Sequence, residues 1–177
     1  LDAGSTGLLV VARTQHAYDE LVPQFADHSA TRMYKALVWG HPTALHGVID
    51  APIGRSRRDP LKMAVVADGR NSRTEYEVVS RYVSPVDCAL LECSLETGRT
   101  HQIRVHLSSI GHPLIGDPWY GQRRPTLGMK RPFLHAARLE FDHPNGEGRV
   151  AFSSELAADL REMLSELEPI DVESLGD

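Results

Sequence analysis

The sequence predicts an α+β domain, a mostly antiparallel mixed sheet flanked by helices, and three observations carry that expectation. About eight short segments alternate or run apolar in the manner of strands, against three that repeat at helical spacing. The strand-like segments mostly follow one another, so the βαβ alternation of a parallel sheet is absent. Turn signals separate them, at Asp68-Gly69, Ser84-Pro85 and Pro144-Asn145-Gly146.

Taken in order, the short apolar run Leu8 to Ala12 predicts a buried strand. Thr14 is placed to cap a helix running to about His28, with Ala17, Leu21, Val22 and Phe25 on one face. Arg32 to Gly40 alternates, sending Met33, Lys35, Leu37 and Trp39 one way and Tyr34, Ala36 and Val38 the other. Val48 to Ile53 predicts a strand, Gly54 to Pro60 a basic loop and Lys62 to Val66 a short strand. Arg73 to Tyr82 and Ala89 to Leu95 predict a strand pair. Thr100 is placed to cap a helix to about Ile110, which Gly111 ends. Leu134 to Phe141 and Arg149 to Phe152 predict a further pair. Ser154 is placed to cap a last helix with Leu156, Leu160, Leu164 and Leu167 inward.

At 177 residues, with 41% hydrophobic and 24% charged, the chain suits one soluble domain. Residues 1–168 form the expected domain and 169–177 an acidic, frayed tail. No apolar run approaches the length that crosses a bilayer. Cys88 and Cys93 lie five apart in one predicted strand, on opposite faces, which excludes a disulfide between them. They read as reduced core residues of a cytoplasmic protein. No repeat is present, and a monomer is expected. The chain opens inside a motif, at Leu1-Asp2, so further residues are expected ahead of it.

The net charge of −5 argues at first against nucleic acid, but its distribution argues for it. Eight acids fall from Glu155 onward, leaving 18 Lys and Arg against 16 Asp and Glu before it. The bases there are clustered. Arg55, Arg57, Arg58, Lys62, Arg70 and Arg73 form one group, and Arg123, Arg124, Lys130 and Arg131 another. One such cluster is as often a solvated loop as a contact; two of them flanking a candidate site favour phosphates.

Three segments carry candidate chemistry. Leu1 to Leu9 places Asp2 in a Gly/Ser/Thr loop just before an apolar run, where backbone amides can aim a carboxylate into a cleft. An Asp in such a loop is more often a turn residue. Thr97-Gly98-Arg99-Thr100-His101-Gln102-Ile103-Arg104-Val105-His106 sets donors at a helix start. Ile103, Leu107 and Ile110 share one face, and His101, Arg104 and Ser108 a neighbouring polar one. The planar fork of Arg104 suits both oxygens of a carboxylate, whether structural or catalytic. Tyr34 lies in a strand, where a tyrosine usually packs. His101 and His106 are five apart, and there is no HExxH, zinc-spaced Cys pair, P-loop or GxGxxG, so neither metal nor nucleotide cofactor is expected.

These residues alone support a cationic cleft with one carboxylate. The opening segment resembles the catalytic motif of RluA-type RNA pseudouridine synthases, with Ser5-Thr6 in place of the commoner Thr-Ser order. The Tyr34 strand, the segment Thr97 to Leu107, Gly111-His112-Pro113, Gly116 to Gly121 and Leu134-His135-Ala136 are also similar to that family, in the right order up to about residue 165. The His-Arg pair that precedes the family's Leu-Asp is not in this sequence, nor are the earlier strands that complete its sheet.

The resemblance implies the pseudouridine synthase catalytic fold and the cofactor-free isomerisation of uridine in RNA, ribosomal RNA more than tRNA. It implies Asp2 as the central carboxylate, Arg104 as its cationic partner and Tyr34 as a ring stacked on the target base. Ile103 would wall the base pocket, and Arg99, His101, Arg55, Arg57, Arg58, Lys62 and Arg73 would contact the RNA. A non-catalytic RNA-binding module that keeps this fold is the alternative, and retention of Asp2, Tyr34 and Arg104 together speaks against it. A hydrolase pairing Asp2 with His101 or His106 is a third reading.

Overall fold

The computed structural model describes residues 1–121 and 123–170. Ten strands and three helices are found among the described residues. In chain order they are β1 (Thr6–Gly7), α1 (Gln15–Ala26), β2 (Thr31–Trp39), β3 (His46–Asp50), β4 (Ile53–Arg55), β5 (Met63–Val65) and β6 (Arg73–Ser84). There follow β7 (Cys88–Leu95), α2 (Gln102–Ser109), β8 (Leu134–Asp142), β9 (Arg149–Ser153), α3 (Ala158–Ser165) and β10 (Glu168–Ile170). The main sheet runs β1-β8-β2-β7-β6-β10, with β3 also on β6 and β9 on β8, while β4 and β5 form a separate hairpin. Only β1 is parallel to its neighbour, so the mostly antiparallel mixed sheet is as expected.

The alternation of β2 places a core on both faces of the sheet. Ala36 and Val38 meet Leu91, Cys93, Ile103 and Leu107 on the α2 side. Leu37 and Trp39 meet Cys88, Leu90, Leu160 and Met163 on the α3 side. The two cysteines are free, buried and on opposite faces. Leu21 of α1 packs on Ala30, Leu139 and Phe141 at the β8 end.

Several local expectations are corrected. Leu8 to Ala12 is not a buried strand: Leu8, Val10 and Ala12 pack beneath α1, but Leu9 and Val11 are 66% and 69% exposed. The segment expected over Val48 to Ile53 divides at Ala51-Pro52 into β3 and β4, because a proline cannot donate to a ladder. Thr14 does cap α1, its hydroxyl accepting from the Ala17 amide at 3.1 Å, yet Val22 faces solvent. Ser154 caps nothing; α3 starts after Ala157. Pro169 and Ile170, assigned to the tail, pair with β6, and 171–177 lie outside the described residues.

Candidate active site

Asp2 opens a turn closed by the Ser5 amide on the Asp2 carbonyl, at 3.0 Å. The loop is fastened at three points, two of them on β8. β1 pairs Thr6 with His135 and Gly7 with Ala136. Gly7 has φ +103°, and a Cβ there would lie 2.2 Å from the Ala136 carbonyl oxygen, so only glycine admits this approach. His135 Nε2 donates to the Ser154 carbonyl at 3.1 Å, and its Nδ1 meets the Thr6 hydroxyl at 2.9 Å. Arg131 donates to the Gly4 carbonyl at 3.0 Å while its fork grips Asp159 at 2.9 and 2.6 Å. Arg131, read in the sequence as a phosphate contact, thus ties the Asp2 loop to α3.

α2 is buried all round rather than on one face, from Gln102 to Leu107. Its polar residues are satisfied inside, as burial requires. The Arg73 amide donates to Thr97 Oγ1 at 2.9 Å and the Thr97 hydroxyl to Gln102 Oε1 at 2.7 Å. Gln102 Nε2 donates to Thr74 Oγ1 at 3.0 Å. His106 Nε2 donates to the Ala51 carbonyl at 2.9 Å, leaving Nδ1 to accept the Thr74 hydroxyl at 2.9 Å. Desolvation, above all, lowers the pKa of His106, against the pull of the Ala51 carbonyl and Asp50. His106 does not line the cleft, which removes it as a water-activating base.

Thr100 does not cap α2. His101 stands at the cap position in a left-handed conformation, φ 57° and ψ 22°, without a side-chain cap. Its Nδ1 lies 2.8 Å from the Tyr120 hydroxyl, which receives the Met63 amide at 2.9 Å. The Tyr120 hydroxyl can thus accept the Met63 amide and donate its own proton to Nδ1. Burial, and next the Arg104 cation, lower the pKa of His101 and favour the neutral ring.

Arg104 stands at the centre. Its Nε and Nη2 donate to Asp117 at 2.8 and 2.9 Å, the two-pronged geometry the sequence suggested for a carboxylate. That carboxylate is Asp117, not Asp2. Asp2 is met by Nη1 alone, at 3.6 Å. Asp117 also accepts the Trp119 and Tyr120 amides at 2.8 and 3.0 Å. Burial works to raise its pKa, but the Arg104 bonds and these amides prevail and lower it. The Arg104 guanidinium lies 5.0 Å from the centre of the Tyr120 ring and 5.7 Å from that of Trp119. The side chains of Asp117 and Arg104 are 0% and 5% exposed, that of Asp2 22%. One carboxylate is thus spent on positioning the arginine, and the other faces the cleft.

The cleft has a volume near 330 Å³, and its walls include Asp2, Tyr34, Ile103, Arg32, Arg99 and Arg138. The alternation of β2 puts Tyr34 on the face of Ala36 and Val38, at the cleft, and β8 carries a bulge opposite Met33 and Tyr34. Burial raises the pKa of the Tyr34 phenol; Arg32 opposes that and Asp2 adds to it. Four of the expected residues thus come together: Asp2, Tyr34, Arg99 and Ile103. Arg104 supports them from behind, and His101 stands beside it. Arg55, Arg57, Arg58 and Lys62 are not in the cleft: they ride on the β4–β5 hairpin, where Arg57 pairs with Asp68, and Lys62 with Asp59 and the Trp119 carbonyl. Arg73 is likewise outside it, occupied by Glu96, Glu75 and Asp50. Sequence reasoning missed Asp117, Tyr120, Arg32 and Arg138 as site residues. The signal for Asp117 lies in the segment Gly116 to Gly121, where an acid is flanked by glycine, proline and aromatics. Among the described residues no three His, Cys, Asp or Glu side chains gather as a metal site requires.

Residues 1–109 match the model of the RNA pseudouridylate synthase family. The chain belongs to this family. Among RNA pseudouridylate synthases, ribosomal large subunit pseudouridine synthase D of Zymomonas mobilis is 47% identical over 171 residues, which cover 91% of this chain and 52% of that protein. An uncharacterized RNA pseudouridine synthase of Chloroflexus aurantiacus is 49% identical over 168 residues, 95% of this chain and 52% of that one. The chain therefore spans about half the length of the curated relatives it matches. The solved structure of human RNA pseudouridylate synthase domain containing 1 superimposes with a TM-score of 0.81 at 26% identity, over 99% of this chain and 76% of that one. No helix among the described residues is long and apolar enough to cross a membrane.

Proposed function

We propose that this chain is the catalytic part of an RNA pseudouridine synthase, with Asp2 as its catalytic carboxylate and no cofactor. The observation that carries the reading is Asp2 in a cleft walled by Tyr34 and Ile103, beside a buried Arg104 whose fork is already committed to Asp117. A carboxylate that must react needs a cation to hold it and lone pairs left free. One contact at 3.6 Å holds Asp2 without consuming it. The reaction frees the base from C1′ at N1, turns it and rejoins it through C5, whose hydrogen leaves. Asp2 acts at the ribose or base, Tyr34 stacks on the flipped base, and Ile103 closes the pocket around it. The neutral phenol favoured at Tyr34 suits stacking and hydrogen bonding.

The basic β4–β5 hairpin, with Arg55, Arg57, Arg58 and Lys62, would contact phosphates and make binding salt-dependent, whereas the three acids around Arg73 leave it little charge to offer RNA. Ribosomal RNA is the favoured substrate, because the relative in Zymomonas mobilis is named for the large ribosomal subunit. A cytoplasmic monomer fits that substrate and the two free buried cysteines.

The test uses the full-length protein and Asp2→Asn with ribosomal RNA and tRNA transcripts tritiated at uridine C5. The parent releases tritium to water and Asp2→Asn releases none. If neither releases tritium while both bind RNA, the non-catalytic binding module is the correct reading.

A further inference from the structure

Two arginines in the cleft wall stand without a carboxylate partner among the described residues, and the architecture holds them there. Arg32 donates through Nη2 to the carbonyls of Glu96, at 3.0 Å, and Leu95, at 3.4 Å. These are neutral partners. The Glu96 carboxylate is turned to Arg73. The Arg32 guanidinium lies 5.5 Å from the centre of the Phe25 ring, and its Nε is buried without a hydrogen bond. Its Nη1 occupies the space a side chain at position 98 would fill: a Cβ on Gly98 would come within 2.5 Å of it. Gly98 of the Gly-Arg-Thr-His segment thus makes room for Arg32, and the next residue, Arg99, lines the same cleft. Among the described residues Arg99 spends only its Nε, on the Asn71 carbonyl at 3.2 Å. Arg138, the third cleft arginine, is already neutralised by Glu140.

A partly buried guanidinium whose hydrogen bonds among the described residues go to carbonyls, with a second cation near it, is costly to keep. Burial, and to a lesser degree Arg99, weaken the hold of Arg32 on its proton, while Tyr34 strengthens it. Asp2 is in the same cleft but pairs with Arg104. An anion with several acceptor oxygens, bound between the two forks, would satisfy both arginines. We infer that Arg32 and Arg99 form a phosphate subsite of the cleft, which takes a phosphodiester adjoining the target uridine and so fixes the nucleotide whose base lies against Tyr34. This rests on the synthase reading for its ligand, but its geometry stands apart from the chemistry. The β4–β5 hairpin would grip RNA away from the site; the arginine pair would position the reacting nucleotide itself.

The probe is the trinucleotide UpUpU, with two analogues in which one or the other phosphate is a neutral methylphosphonate. Binding to the full-length protein, to Arg32→Met and to Arg99→Met is read by anisotropy of a labelled probe. One methylphosphonate is expected to weaken binding to the parent about tenfold or more. Arg32→Met should weaken binding of UpUpU by a similar factor, and the same methylphosphonate should then cost that variant nothing further. Arg99→Met should behave alike, and it serves if Arg32→Met fails to fold. Losses that multiply, or a parent that does not bind UpUpU at millimolar concentration, overturn the subsite. Because binding is read without turnover, non-additive losses without tritium release would keep the subsite and reject the reaction. Tritium release with multiplying losses would do the reverse.

Discussion

At the scale of single residues, the site divides labour between two acids that composition treats as equal. Asp117 has no exposed side-chain surface and four hydrogen bonds, two from Arg104 and two from backbone amides. Asp2 has one contact at 3.6 Å. Replacing Asp117 by Asn removes the charge that holds the fork, so Arg104 is expected to turn toward Asp2 and occupy its lone pairs. Tritium release by Asp117→Asn should show kcat falling about 10²-fold, on the scale of a misplaced catalytic group, with KM for RNA little changed. Breaking a buried pair should also cost roughly 3–5 kcal/mol of stability, so activity is compared well below the variant's melting point. Parental kcat in a folded Asp117→Asn protein would show that Asp117 does not position Arg104.

At the scale of elements, what places Asp2 is a strand of two residues. β1 is too short to carry much of the fold, yet it sets the register of the loop against β8. Gly7→Ala would drive a methyl into the Ala136 carbonyl at a backbone angle that alanine resists. The loop must then lift. Activity is expected to fall about 10²-fold or more, because displacement near 1 Å has that effect. The melting temperature should move little, since α1 and the central strands keep their contacts. Equal loss of both would mean that β1 is part of the cooperative core and not a local positioner. At the same scale two of the three helix starts differ from expectation. Thr14 caps α1 as its type suggests, but Thr100 and Ser154 do not cap α2 and α3. At α2 the Gln102 side chain fastens the helix start instead, to the Thr97 hydroxyl five residues back and to the Arg73 carbonyl 29 residues back, and the second of these bonds is not visible in a window of neighbours.

At the scale of the molecule, the hydrogen-bonded chain from Arg73 through Thr97, Gln102, Thr74 and His106 to Ala51 ties α2 to β6 and the β3–β4 link. It needs a neutral His106. Its folded pKa lies below the unfolded value of 6.5, so the unfolded chain binds the proton more readily. This contribution to stability is complete above pH 6.5 and is lost as pH falls through the lowered folded pKa. Denaturant unfolding is expected to give a stability that declines below pH 6.5 in the parent and declines less steeply in His106→Gln, whatever the variant's absolute stability. Parallel pH profiles would place the titration elsewhere.

The α+β class, most of the strand segments and the two-faced burial of β2 were legible in the sequence, because alternation and turn residues act between near neighbours; the family was legible in its motifs, and the order of strands in the sheet was not. The motifs also singled out Asp2 and Tyr34, which the fold brings into one cleft, and Arg104, which it sets behind them. Tertiary structure alone decided which carboxylate takes the fork of Arg104, which histidines are structural, and which arginines face the cleft. Arg131 and Arg73 count as bases in a sequence, but folding brings acids to them from 28 and 23 residues away. Arg32 looks like one strand residue among many, and folding leaves it in the cleft wall without an acid partner among the described residues. Charge can be counted along a chain; whether it is neutralised depends on distances that only the closed sheet sets.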